Sequence, residues 1–284
     1  MKNHYILVLL FTVSVFCSVS AQEPAKDNTV KENKKNSYFK ADVTYLTNAV
    51  YNGRKDSSVL PYITPSLGYY DRSGFYISGS LSYLSSSAAS RIDLFSLTTG
   101  YDFTISPVVT GGIYASKDFY TSSSSSVRSE TKGSLGGNLS YDPGAVTLNG
   151  GINLLFSDKT DVSVSGSLAH SFYFGEKGNE WSIVPTVAVN LGTQNYYQAY
   201  IKNRTKKKNG NAGAVQVQNS KFTVLDYEIS MPIAYDALKW GIFFTPTYAI
   251  PQSPASYTAP GGSIFVTEKL ENVFYAEFGV YIKF

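Results

Sequence analysis

Among the charged residues, eight fall in close sets, Lys40 with Asp42, Arg91 with Asp93, Asp226 with Glu228, and Glu277 followed by Lys283, with Lys132 apart as a ninth. A spacing of two puts both members of a pair on one face of a β-strand. Lining a water-filled passage, such charges set ion preference. Packed inside a closed interior, they neutralise one another and fill space. Other chemistry is scarce. His4 and His170 are the only histidines and Cys17 the only cysteine, too few for a zinc site of three or four His or Cys ligands. The pattern predicts no metal, no cofactor and no enzymatic centre.

Those sets need strands to hold them, and the chain supplies a succession of period-two segments. They lie near 38–51, 57–71, 74–86, 90–103, 107–119, 131–142, 145–157, 161–174, 180–195, 220–232, 239–251 and 269–284. In the seventh, Val146, Leu148, Gly150, Ile152, Leu154 and Phe156 alternate with Thr147, Asn149, Gly151 and Asn153. The fourth and fifth are ambiguous in phase. Five connections are tight, and four of them adjoin an aromatic-Asp pair: Tyr70-Asp71, Tyr101-Asp102, Tyr141-Asp142 and Tyr235-Asp236. Asp starts a turn by bonding its own backbone, and Tyr suits a membrane interface. Tyr70, Tyr101, Tyr141, Tyr235, Trp181 and Trp240 are therefore expected to form one aromatic girdle. The other connections are longer and less regular. Pro61, Pro65, Pro185 and Pro246 fall inside strands, where proline cannot donate to the ladder, which predicts bulges or segments above the hydrocarbon layer. A soluble sandwich or lipocalin-like barrel is the structural alternative.

The last fourteen residues carry the clearest signal. Phe274, Ala276, Phe278, Val280, Ile282 and Phe284 are apolar, and the residues between them are mostly polar or small. This ending resembles the C-terminal signal strand of bacterial outer-membrane β-barrels, porin-like proteins among them. The resemblance implies a transmembrane antiparallel up-and-down barrel of about twelve strands in the cell outer membrane of a Gram-negative bacterium. It further implies insertion by the barrel-assembly machinery, reading Phe278, Val280, Ile282 and Phe284. In such a barrel the nine charges above face the lumen, and an Asp42–Lys283 contact is expected across the seam between first and last strands. Passive passage of small polar solutes is the expected role. A non-conducting structural or surface-interaction barrel and a hydrophobic-ligand transporter are the alternatives. His170-Ser171 invites comparison with outer-membrane phospholipases, but the residue two beyond His170 is Phe172 where those enzymes carry Ser.

Composition agrees with a wall between lipid and water. Charged residues make up 16% and Tyr (23) far outnumbers Trp (2), against roughly 25% charge in soluble domains. The net charge of +3 is too small to imply nucleic acid. Residues 1–21 read as a signal peptide, with Lys2 before an apolar run and Val19-Ser20-Ala21 as the cleavage site. Residues 22–37 read as a disordered periplasmic lead-in or a plug, and 38–284 as the barrel. Lys202-Asn-Arg204-Thr-Lys206-Lys207-Lys208 on a long outer loop is positioned to meet lipopolysaccharide phosphates, beside outer-membrane lipid.

Overall fold

The computed structural model describes residues 36–86, 89–176, 178–201, 217–218, 221–258 and 265–284. The signal peptide, most of the lead-in and the basic loop therefore lie outside the described residues.

Twelve antiparallel strands form one closed wall. They are β1 (Tyr38–Leu46), β2 (Tyr62–Tyr70), β3 (Phe75–Ser86), β4 (Ala89–Ser106), β5 (Val109–Tyr120), β6 (Gly133–Tyr141) and β7 (Thr147–Phe156). Next come β8 (Asp161–Ala169, resuming at Phe172–Glu176), β9 (Asn179–Ile183 and Thr186–Gly192) and β10 (Thr223–Ser230 and Ile233–Ala237). Trp240–Pro251 is β11 and Val273–Lys283 is β12. Each pairs with its neighbour in sequence, and β12 pairs with β1. In oil every backbone N–H and C=O must find a partner within the protein, and only closure removes the two edges. Phe39 and Phe284 exchange both backbone bonds, at 2.8 and 3.0 Å, so the last residue completes the ring. The register places Lys40 opposite Lys283 and Asp42 opposite Tyr281. The seam pair expected between Asp42 and Lys283 is thus a diagonal, and Asp42 instead accepts a hydrogen bond from Ser66.

Followed strand by strand round the wall, the register returns to β1 displaced by about sixteen residues. For twelve strands that shear sets a tilt of roughly 40–45° and a backbone radius of roughly 13 Å. Alternation then sorts the side chains. Val43, Leu67, Ile77, Leu97, Ile113, Leu139, Ile152, Leu168, Val187, Ile229, Ile242 and Val280 all stand exposed on the outer face. Such an apolar belt is stable only against hydrocarbon.

The phase ambiguity in β4 has a physical cause. A bulge in β4, opposite the Ser82–Tyr83 step of β3, lets Asp93 and Leu94 both turn inward, and both are buried. The first strand ends at Leu46 rather than 51. Past it, residues 47–61 fold into the barrel mouth, with a hairpin of Val50–Tyr51 and Arg54–Lys55. Its turn is Asn52-Gly53, both with positive φ (49° and 71°), the pairing that a two-residue hairpin loop demands.

Three wall strands are broken where proline enters the ladder. His170, Pro185, Met231, Pro246 and Ala276 form one transverse row across β8 to β12. His170 N donates to the Pro185 carbonyl (3.2 Å) and Met231 N to that of Pro246 (3.1 Å). Neither proline has an N–H to return. In the adjacent row Val184 N donates to the Pro232 carbonyl at 2.9 Å, and the Thr186 hydroxyl replaces the missing donor to Val184 at 3.0 Å. A shallow apolar depression of about 620 Å³ on the outer wall follows this line, past Leu168, Met231 and Tyr248.

Candidate functional site: a capped polar lumen

The inner wall has two unlike halves. From β3 to β8 it carries short, uncharged groups at mid-height: Ser80, Thr98, Ser116, Asn138, Asn153 and Ser165, all half-exposed. Aromatic rings on this arc lie flat over glycine. A Cβ at Gly136 would sit 2.6 Å from the Tyr114 ring, and one at Gly100 would sit 2.5 Å from the ring of Tyr76. The Tyr114 hydroxyl donates to Asn153 Oδ1 at 2.5 Å.

The charges gather on the opposite side, on β10, β12 and β1. Glu277 and Asp42 are half-exposed toward the lumen, below the mouth. Lys40 is buried with its Nζ 4.9 Å from the Tyr281 ring centroid, and Lys283 lies 5.5 Å from the rings of Tyr38 and Tyr281. Tyr281 donates to Asp236. Asp226 and Glu228 lie deeper in the wall and are fully buried. Asn190 donates to Asp226 at 2.8 Å and Tyr275 to Glu228 at 3.2 Å. These two carboxyls are packed beneath the mouth hairpin rather than lining open space, since Gly53 at its tip rests on Pro251 and Asp226.

Arg91 and Asp93 pair at 2.9 Å near the outer end, where Asp93 also accepts from Tyr62 at 2.5 Å and Ser124 at 2.7 Å. Lys132 is not in the lumen. It is exposed and pairs with Asp158 at 3.0 Å on the rim. Of the expected girdle, Tyr101, Tyr141, Trp181 and Trp240 stand outward, and Tyr235 packs between the two tryptophans. Tyr70 does not join them. It is buried inside, stacked with Tyr38 and Tyr76, while Tyr69 packs against Phe39 on the outer face. The turn after β2 falls one residue later relative to the pleat, so the same Tyr-Asp pair has opposite parity there. Phe278, Val280, Ile282 and Phe284 are all exposed on the outer face of β12. His170 shares that outward parity at the β6–β7 turn, its Nδ1 2.5 Å from the Ala145 carbonyl and its ring edge-on to Phe172.

Sequence reasoning missed the group that closes the mouth. Tyr51, Val127, Leu155, Tyr196, Tyr197, Tyr200 and Ala255 form one buried cluster. Its members come from the hairpin, from three other outer connections and from the end of β7, so the cluster spans the opening. The helical segment 195–201 is held there by Asp161, which accepts from the backbone N–H groups of Asn195 (2.6 Å) and Tyr196 (2.7 Å). An acidic side chain on unpaired helix-start amides is a strong cap. Arg54 is the tie. It bonds Glu268 (3.2 Å), Gln194 (3.0 Å) and the Ser253 carbonyl (2.9 Å), and lies 4.9 Å from the Tyr197 ring centroid. Tyr200 donates to Asp56 at 2.5 Å, and Arg128 lies over Tyr51. Burial pushes the Tyr196 and Tyr197 phenols well above their usual range, so both stay neutral, and the Tyr196 hydroxyl accepts from Asn52 Nδ2 at 3.4 Å. The Asn52-Gly53 dipeptide was the available sequence signal for this hairpin.

A closed wall, apolar and aromatic outside and polar within, makes this a transmembrane β-barrel of the bacterial outer membrane. Within that class it is a single chain of twelve strands whose first outer connection folds into the mouth. No family model and no curated protein matches the chain. Among solved structures it is similar to a KdgM porin, with 8% identity, TM-score 0.49, and 86% of this chain and 99% of that one covered. It is also similar to an outer membrane channel from Pseudomonas putida F1, with 10% identity, TM-score 0.45, and 90% and 100% covered. LpxR from Salmonella typhimurium matches at 9% identity and TM-score 0.45, over 86% and 100%.

Proposed function

We propose that this barrel is a passive outer-membrane channel for small polar solutes, closed at rest by its mouth cluster and preferring cations among ions. The observation that carries the reading is the uncharged arc. Ser, Thr and Asn side chains reach only about 2–4 Å from a backbone roughly 13 Å from the axis, so they do not fill a cylinder of this width. Their half-exposure agrees with a hydrated interior. Cation preference follows from the lumen strip, where Asp42 and Glu277 are accessible and Lys40 is buried against Tyr281. The capped mouth is the observation that favours a non-conducting barrel instead.

Planar-bilayer recording separates the two. Discrete cation-selective steps are expected, rare in the native chain and frequent once Arg54 is replaced by Ala. Reversing Asp42 and Glu277 to Lys should move the reversal potential toward anions. Absence of steps from both the native chain and Arg54→Ala would overturn the channel.

A further inference from the structure

Resting on the channel reading, we infer that the arc along β5 to β8 is a binding track for uncharged, hydroxyl-rich solutes of the sugar type, and that sugar acids pass poorly. Three observations converge on it. First, the inner face there holds no ionised group at mid-height, while the accessible carboxylates Asp42 and Glu277 lie on the far side. An anionic solute gains no counter-charge on the arc and meets like charge opposite.

Second, the arc presents short polar side chains to the lumen at fixed positions, with Asn138, Asn149, Ser163, Ser165 and Ser167 all half-buried. Ser140 and Asn149 face each other across β6 and β7. Asn149 Nδ2 donates to Ser167 at 3.1 Å, which fixes the amide against the next strand. Paired acceptors and hydroxyls at fixed positions match vicinal hydroxyls, each of which both donates and accepts. Third, the Tyr114 ring is laid flat in the slot left by Gly136 and anchored to Asn153. A flat aromatic face beside amides holds the apolar C–H face of a pyranose while its hydroxyls bond the wall.

The test uses the full mature chain and its Arg54→Ala form in proteoliposomes and planar bilayers, with glucose, maltose and gluconate as probes. Swelling should be severalfold faster in glucose than in gluconate. Maltose should block the ion current reversibly, and Tyr114→Ala with Asn149→Ala should raise the half-blocking concentration while the cation selectivity set by Asp42 and Glu277 is kept. Equal entry of glucose and gluconate, or block that ignores both substitutions, would overturn the track while the channel stands. Absence of ion conductance removes the channel reading and the track with it.

Discussion

Arg54 is the side chain on which the closed mouth most depends, and its loss has a calculable effect. The guanidinium side chain is 1% exposed and its Glu268 partner 11%. Removing one member of a buried ion pair costs about 3–5 kcal/mol, because the other charge is stranded. Here Glu268 lies near solvent and keeps the Ala255 N–H at 3.0 Å, so about 2–3 kcal/mol is the better figure for Arg54→Ala. That corresponds to an increase of about 30- to 150-fold in the open-to-closed ratio of the cap. Single-channel recording reads it directly as open probability, with cold-gel migration of the unheated barrel confirming an intact wall. Arg54→Lys should fall between, since an ammonium keeps the charge but not the fork that reaches Gln194 and Ser253 together. An unchanged open probability in Arg54→Ala, with the wall intact, would refute the idea that this tie holds the mouth shut.

Three further outcomes follow from the wall. Asp42→Cys with Tyr281→Cys, opposite each other at the seam, should form a disulfide on oxidation and speed migration of the denatured chain on non-reducing gels; a chain that stays linear would place the seam in another register. Gly136→Val puts a side chain where the Tyr114 ring lies, and should cost about 1–3 kcal/mol in urea unfolding from lipid and lower unit conductance by turning the ring into the lumen. Unaltered conductance would mean the ring does not bound the passage. Pro185→Ala supplies the N–H that the His170 carbonyl lacks, and should raise stability by about 1 kcal/mol, the bond gained outweighing the looser unfolded chain. A fall in the unfolding midpoint would show the proline to be required for the break itself.

The wall was legible in the sequence because its signal is local. Phe274 to Phe284 alternate, and each tight turn announces itself within five residues by Asp, Gly or Pro. What escaped depends on offsets that alternation cannot carry. The bulge in β4 shifts Asp93 by one place, and the phase of the turn after β2 sends Tyr70 inward and Tyr69 outward. Period-two parity puts Lys132 inward, but β6 begins at Gly133 and Lys132 lies past its end on the rim. Pro232 was not singled out, although it lies beside the outward prolines and breaks β10. The mouth was the largest omission. Its contacts join residues such as Asn52 and Tyr196, or Asp56 and Tyr200, each 144 positions apart, and no periodicity reports contacts at that range. Asp226 and Glu228 followed from it, since inward parity does not reveal that a hairpin is packed over them.

The proline row has a mechanical meaning. A tube whose staves are stitched on both sides resists bending equally in every direction, but across β8 to β11 the stitching is single at three successive crossings. The cylinder therefore carries a crease, a band where the upper and lower rims can flex against each other without any strand leaving its neighbour. A thinner or thicker membrane would be met by bending at that band first, leaving the arc between β3 and β7 straight.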